Sequence, residues 1–246
     1  MALSALVQVT DQDVNSTSSS QGGAALGQVA STPDGRIFSY AKAGAVDLAA
    51  GKLTSPAAVT ANYATRTLST SFAAGVNQVT VTLGTTATQD QFAGFYLVVT
   101  DGTGKGQGAY RVVGNTAATA GNSNSTTVTI ENALNVALDN TSVVGLYPSQ
   151  FSSLVVSASG TAPAVPVSGA PVVAVTAAYY FWVQTGGYAS ILSDGAVTKN
   201  AEAISSNAVA GAAEIRVDAT VTRAVGYAPE LTVDGKYSPL VLTLDY

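Results

Sequence analysis

The segment YYFWVQTGGYASILSDG, residues 179–195, places five aromatic side chains, including the only tryptophan, in a chain otherwise rich in small residues. Side chains alternate along a β-strand. The odd-numbered residues from Tyr179 to Val183 are therefore expected on one face, and the even-numbered residues from Tyr180 to Gln184 on the other. Both faces are then bulky and largely apolar. Such a strand is either central in a sandwich or has its second face covered by another module or another copy of the chain.

Three roles for this aromatic segment fit its residues. Aromatic side chains dominate buried area, which favours a place in a core. They are also enriched at protein interfaces, which makes Tyr180 and Trp182 candidate subunit contacts. A sugar-stacking platform is the third role. It requires polar groups beside an exposed ring, and Gln184 and Tyr188 are the groups available nearby.

Short alternating segments rich in Val, Thr and aromatic residues recur along the chain and end in Gly, Asn or Asp, as β-strands do. The Asp-Gly pair is typical of tight hairpin turns and occurs beside such segments at 34–35, 101–102, 194–195 and 234–235. We expect the Gly-Gly pair at 186–187 to end the aromatic strand in the same way, with the following residues returning along its neighbour. No segment keeps a helical period for long, so an all-β fold is predicted.

The predicted organisation is an extended N-terminal arm followed by two small β-barrel or β-sandwich domains. Residues 11–31 are polar and rich in Gly and Ser, so the arm is too poor in large apolar groups to fold alone. Three prolines within residues 161–172 indicate an extended linker. The predicted divisions are an arm (1–31), a connecting segment with a strand and turns (32–69), a first β domain (70–158), a Pro-rich linker (159–172) and a C-terminal β domain (173–246).

Composition excludes several classes of function. Charged residues make up 10% of the chain, the formal net charge is -5, and the Lys and Arg residues are scattered, so a nucleic-acid-binding patch is not expected. Cys and His are absent, which removes disulfides, thiolate nucleophiles, imidazole bases and the usual zinc sites. No apolar run approaches the roughly 18 residues of a membrane span. The first residues lack the basic region of a secretory signal, so synthesis in a cytoplasm is expected.

No cofactor, metal or catalytic site is predicted. Asp11 and Asp13 have the spacing that opens an EF-hand, but Ser16 and Gly22 occupy the positions that require Gly and Glu. The glycines around Lys105 depart from the phosphate-loop pattern, because no Ser or Thr follows the lysine. The acidic residues lie mostly at turns and strand ends, and no pair suited to glycoside hydrolysis stands out. The chain is therefore predicted not to be an enzyme.

Three segments carry a resemblance to virion structural proteins of tailed bacteriophages, of the kind that decorate or cement the capsid exterior. They are TPDGRIFSYAKAGAVDLAAGKL (32–53), DQFAGFYLVVTDGTGKGQGAYRVVGN (90–115) and AAYYFWVQTGGYASILSDGAV (177–197). The similarity lies in the sequence pattern of these segments and extends over most of the chain after residue 30. It brings no active-site motif with it.

The resemblance implies a β-rich protein, usually a homotrimer, that binds the outside of the expanded shell and bridges adjacent capsomers. Its expected partners are the major capsid protein and further copies of itself, and its expected location is the capsid exterior after synthesis in the host cytoplasm. The candidate interface residues are Leu3, Leu6, Val7 and Val9 of the arm, with Tyr180 and Trp182 of the aromatic segment.

Two other classes remain open. A tail-fibre or receptor-binding protein would share the β-rich trimeric style, but should show exposed aromatic residues and often a shaft repeat, and the chain has no repeat of fixed period. A polysaccharide depolymerase would need a pair of carboxylates and usually a longer, repetitive β-helix.

Overall fold

The computed structural model describes residues 7–160, 166–217 and 223–244. Its regular structure is nearly all β, which confirms the predicted class. The strands are β1 (Val7–Gln8), β2 (Thr17–Ser18), β3 (Val29–Ser31), β4 (Ile37–Lys42), β5 (Thr54–Pro56), β6 (Arg66–Thr67), β7 (Gln78–Thr82), β8 (Phe95–Asp101), β9 (Ala109–Asn115), β10 (Ser125–Ile130), β11 (Val143–Pro148), β12 (Leu154–Val156), β13 (Ala170–Pro171), β14 (Tyr180–Leu192), β15 (Glu202–Ser205), β16 (Ala213–Ile215), β17 (Ala224–Tyr227) and β18 (Tyr237–Thr243). Helical structure in the described residues is limited to α1 (Asp11–Val14) and a 3-10 turn (Ala120–Asn122).

The chain forms two compact units whose bounds differ from the predicted divisions. Unit 1 consists of residues 1–57 and 150–246, and unit 2 of residues 58–149. The predicted connecting segment is divided between them, because its strand β4 pairs with β14 of unit 1. Local sequence patterns identify β4 as a strand but carry no information about a partner so distant in the chain.

Unit 2 is a six-stranded antiparallel sheet in the order β6-β11-β8-β9-β10-β7. Arg66 Nε on the first strand donates a hydrogen bond of 2.9 Å to the carbonyl oxygen of Thr82 on the last, so the sheet is nearly closed. Buried and outward residues alternate along its strands, as the period of two requires. The inward residues form one core, which includes Phe92, Leu97 and Ile130.

Unit 1 is organised around β14, which contains most of the aromatic segment. Over its first half β14 pairs antiparallel with β4, and over its second half with β18. The sheet continues from β18 through β17 and β15 to β16. One strand therefore joins the N-terminal part of the unit to its C-terminal part.

The Gly-Gly pair does not end the aromatic strand, so the predicted tight turn at Gly186 and Gly187 is wrong. The strand continues to Leu192, and its register against β4 shifts between Gln184 and Gly186. Gly187 has a φ of +81°, and a Cβ there would lie 3.2 Å from Arg36 Cα. The extra residue at this shift is Thr185, which marks a β-bulge beside the two glycines, at the point where pairing with β4 ends and pairing with β18 begins.

The described part of the predicted arm, residues 7–31, belongs to unit 1 and is held there by short strands and a few buried side chains. It supplies β1, β2, β3 and α1, and β3 forms a hairpin with β4 through the predicted Asp-Gly turn at 34–35. Val14 and Ala30 are fully buried. Tertiary contacts with the sheet therefore order a segment whose own composition does not favour folding.

The other Asp-Gly pairs show that the same dipeptide serves several geometries. The pair at 101–102 lies in the connection between the antiparallel strands β8 and β9. The pair at 194–195 does not form the predicted hairpin, since the following strand β15 pairs with β16 and β17. Instead, Gly195 N donates a hydrogen bond of 2.8 Å to Asp234 Oδ1 of the fourth pair.

Candidate functional site

The first half of β14 has two faces of different burial, as its alternation predicts. Phe181 and Val183 are fully buried and pack around Leu154 in one core cluster. Tyr180 and Trp182 are half-buried on the opposite face. The face of Phe181 is thus core, and the face of Trp182 is the part available for another role.

The N-terminal segment of the same unit covers part of the face that carries Trp182. Val9, Val14, Ala30 and Phe38 form a small buried cluster, and Trp182 packs against it. The sequence analysis expects another module or another copy of the chain to cover this face. Here Val9, Val14 and Ala30, which lie in the predicted arm, cover part of it together with Phe38.

The remaining part of this face opens into a cavity of about 420 Å³, which we call the aromatic groove. Four aromatic residues line it, of which Phe181 has its side chain in the core and Tyr40, Tyr180 and Trp182 have theirs on the groove's face. Tyr40 lies directly opposite Trp182 across the β4–β14 pair, with ring centroids 5.0 Å apart and an interplanar angle of 62°. The Tyr40 and Tyr180 rings are 6.0 Å apart at 14°. The three rings thus pack against one another, with Tyr40 buried and Tyr180 and Trp182 partly exposed.

Polar residues of the N-terminal segment also line the aromatic groove, among them Gln8, Asp13, Ser18 and Gly22. Ser18 is paired with Tyr180 in the β2–β14 register, so its side chain lies on the same face as that ring. Gly22 N donates a hydrogen bond of 3.2 Å to the Tyr40 hydroxyl, which ties this segment to the aromatic rings. The groove thus combines an apolar surface with several hydrogen-bonding groups, as small-molecule sites do.

Asp13 is the charged group of the aromatic groove. Its Oδ2 accepts hydrogen bonds from Thr10 N at 2.8 Å and Thr10 Oγ1 at 2.7 Å. The backbone hydrogen bond from Thr10, followed by the side-chain bond, lowers the pKa of Asp13 below its usual value. The Oδ1 atom accepts no hydrogen bond from any residue that the structure describes, and an acceptor therefore remains available at neutral pH.

The second candidate surface is the outer face of β14, β18 and β17, which we call the tyrosine face. It is formed by Tyr188, Tyr227, Tyr237, Pro239 and Val241. Tyr188 and Tyr227 are both paired with Val241, so these three side chains form a row across the sheet. The exposed fractions of Tyr188, Tyr237 and Tyr227 are 62%, 52% and 41%.

The sequence analysis did not predict the tyrosine face, nor the presence of Tyr40 and Asp13 in the aromatic groove. The alternation of residues does indicate part of the tyrosine face. Alternation in KYSPLVLTLDY, residues 236–246, assigns Tyr237, Pro239 and Val241 to the face opposite Leu240 and Leu242. Placing Tyr40 beside Trp182 requires the register of β4 against β14, and no local pattern specifies that register.

The residues predicted as interface candidates lie in different surroundings. Leu3 and Leu6 are outside the described residues. Val7 is exposed on β1, whereas Val9 is 6% exposed and packs within unit 1. Tyr180 and Trp182 line the aromatic groove together with Val9.

Carboxylates elsewhere have structural surroundings. The pKa values of Asp34, Asp101 and Asp139 are lowered, in each case mainly by hydrogen bonds that the carboxylate accepts from neighbouring residues. A glycosidase acid needs a raised pKa instead. Among the described residues, no three or more His, Cys, Asp or Glu side chains are grouped so that they could hold a metal ion.

No protein-family model, curated protein or solved structure matches this chain. Within the described ranges, no helix has the length and apolar character needed to cross a membrane. What the protein binds therefore has to be inferred from the aromatic groove and the tyrosine face.

Proposed function

We propose that this protein is a capsid decoration protein of a tailed bacteriophage, which binds the outside of the expanded shell and bridges capsomers. The observation that supports this function is the tyrosine face. Three exposed tyrosines lie together with Pro239 and Val241 on one sheet of a protein whose composition is otherwise dominated by small residues. Exposed patches of this kind mark interaction sites.

Tyrosine suits such a contact because it contributes a large apolar area and a polar hydroxyl, and it loses little conformational freedom on binding. The sheet holds the three rings in a fixed arrangement, so little further ordering opposes association. In a homotrimer, three such faces would engage the shell at once, and weak individual contacts would add to a stable attachment. The net charge of -5 is consistent with a protein that contacts other proteins rather than the genome.

Co-sedimentation with expanded, protein-free capsid shells tests this proposal. The shells contain the major capsid protein but none of this chain. The purified chain is expected to pellet with them and to saturate at a fixed number of copies per capsomer. Changing Tyr188→Ser together with Tyr237→Ser removes two aromatic contacts. The expected loss is at least about 2 kcal/mol of binding, or about thirtyfold in affinity.

Tyr96→Ser is the matched control, because Tyr96 is also exposed, at 38%, but lies on β8 of unit 2. It should leave shell binding unchanged. Sedimentation velocity of each variant separates loss of shell binding from loss of the trimer. If the unmodified chain does not bind shells at any concentration, the proposed function is wrong. Equal binding by the double variant and the control would show that the tyrosine face is not the contact.

A receptor-binding protein of the tail is the second candidate, because the aromatic groove has the features of a site for a small ligand. A depolymerase is supported less well. The pKa values of Asp34, Asp101 and Asp139 are lowered, whereas the acid of a glycoside hydrolase needs a raised pKa. We propose that the chain has no catalytic role. The position of the protein in the virion, on the shell or on the tail, distinguishes a decoration protein from a receptor-binding protein.

A further inference from the structure

We infer that the aromatic groove is a binding site for a pyranose sugar of a glycan. The argument rests on the groove alone and is independent of the proposed attachment to a shell. A volume of about 420 Å³ lies within the range of roughly 300 to 1,000 Å³ typical of small-molecule sites. The groove also combines the two kinds of group that a sugar ring requires, aromatic rings and hydrogen-bonding residues.

The spacing of the rings decides what shape of ligand the aromatic surface accepts. A group inserted between two parallel rings would need their planes about 7 Å apart, since carbon atoms in contact are about 3.5 Å apart on each side. The Tyr40 and Tyr180 centroids are only 6.0 Å apart, and Tyr40 and Trp182 are in edge contact at 5.0 Å. No ligand fits between the rings. The rings pack against one another, so a ligand can only lie against their outer surface, where Tyr180 and Trp182 remain partly exposed, and cannot be enclosed between them.

This geometry argues against a quaternary ammonium ligand, which aromatic cages bind from several sides. Lys42 supplies a second argument, because its Nζ already lies 5.1 Å from the centroid of the Tyr180 ring. A cationic ligand at the same ring would be repelled by the lysine. A neutral ligand with an apolar face, such as the C–H face of a pyranose ring, meets neither objection.

The polar residues of the aromatic groove offer hydrogen-bonding groups for the hydroxyl groups of a sugar. Asp13 Oδ2 is saturated by Thr10, while Oδ1 accepts no hydrogen bond from the described part of the chain. An ionised carboxylate is a strong acceptor for sugar hydroxyls. Gln8 Nε2 donates to Ser31 Oγ at 2.8 Å, which holds this side chain on β1 beside the groove. We assign Tyr180 and Trp182 to stacking and Asp13 to hydroxyl recognition.

The only tryptophan of the chain lines the groove, so its fluorescence reports on ligand binding directly. The experiment titrates the full chain with cellobiose, maltose and N,N'-diacetylchitobiose, and separately with choline. At least one disaccharide is expected to shift the Trp182 emission saturably, while choline has no effect. Tyr180→Leu and Asp13→Asn should each weaken that disaccharide at least about tenfold, with the melting temperature checked for each variant.

Tyr96→Ser is the matched control, since Tyr96 is an exposed tyrosine of β8 that lies outside the groove and outside the tyrosine face. It should bind the disaccharide with unchanged affinity. Saturation-transfer NMR repeats the titrations without relying on Trp182, so a silent fluorescence response is not mistaken for a lack of binding. The inference is overturned if no disaccharide binds by either method, if choline alone binds, or if folded Tyr180→Leu and Asp13→Asn variants bind as tightly as the unmodified chain. None of these results depends on whether the protein binds a shell.

Discussion

Asn115, at the end of β9, is a buried amide whose hydrogen-bonding groups are used by one turn of unit 2. Its Oδ1 accepts from Phe92 N at 2.8 Å, and its Nδ2 donates to the carbonyl oxygens of Thr88 at 3.0 Å and Thr116 at 2.8 Å. Phe92 belongs to the core of the unit. A single side chain therefore fixes the turn that places a core aromatic residue.

Asn115→Ala should destabilise unit 2 by about 1 to 3 kcal/mol, because it leaves the buried Phe92 N without its acceptor, while the carbonyl oxygens of Thr88 and Thr116 keep their hydrogen bonds from Gln91 N and Thr126 Oγ1. Chemical denaturation monitored by circular dichroism measures the loss. Asn135→Ala is the control, since Asn135 is exposed in the same unit, and its expected effect is within about 0.5 kcal/mol. Equal effects of the two changes would show that the Asn115 network does not hold the turn.

At the scale of elements, α1 holds the N-terminal segment on the sheet. Thr10 and Asp13 form a capping box at its first turn, so the short helix has partners for its free N–H groups. Arg36 joins Asp11 of this helix to Asp34 of the β3–β4 turn, where the Arg36–Asp34 distance is 2.7 Å. The segment is thus anchored at both α1 and the hairpin that follows it.

The lowered pKa of Asp13 makes this anchorage dependent on pH. A carboxylate whose pKa is lower in the folded state contributes stability above its unfolded value and loses it as pH falls through the folded value. We therefore expect the segment to loosen as pH falls below 3.8, the ordinary value for this group. Trp182 packs against the cluster that the segment forms, so its emission should change in that range.

Asp13→Asn should reduce the part of this change that depends on pH, because the variant has no carboxylate to protonate at that position. Asp139→Asn is the control. The pKa of Asp139 is also lowered, mainly by the side-chain hydrogen bond from Thr141, but this residue belongs to unit 2, whereas Trp182 belongs to unit 1. If Asp13→Asn and the unmodified chain show the same transition, Asp13 does not anchor the segment.

At the scale of the whole molecule, the sequence predicts which residues form strands better than it predicts which strands pair. The period of two gives the opposite faces of Phe181 and Trp182 correctly, because alternation is a local property of an extended chain. The partners of β14 lie far away in the sequence, and no local pattern names them. The predicted turn at Gly186 and Gly187 is wrong because a Gly-Gly pair is compatible both with a tight turn and with a strand that continues past a bulge.

The residues of the aromatic groove also depend on contacts between distant parts of the chain, which local sequence patterns do not predict. Trp182 and Tyr180 stand out in the sequence because of their residue type. Tyr40 becomes a neighbour only through the β4–β14 register, and Asp13 only through the packing of α1. The low apolar content of residues 11–31 indicated an extended arm, but contacts with a sheet made elsewhere in the chain order its described part.

The location of the protein in purified virions tests the proposed function most directly. Gold-labelled antibodies raised against the chain, viewed by electron microscopy, distinguish the two candidate locations. The proposal predicts label distributed over the outer surface of filled capsids and little label on empty, unexpanded shells. Label confined to the tail or its fibres, or no label on intact particles whose denatured proteins include the chain, would contradict it.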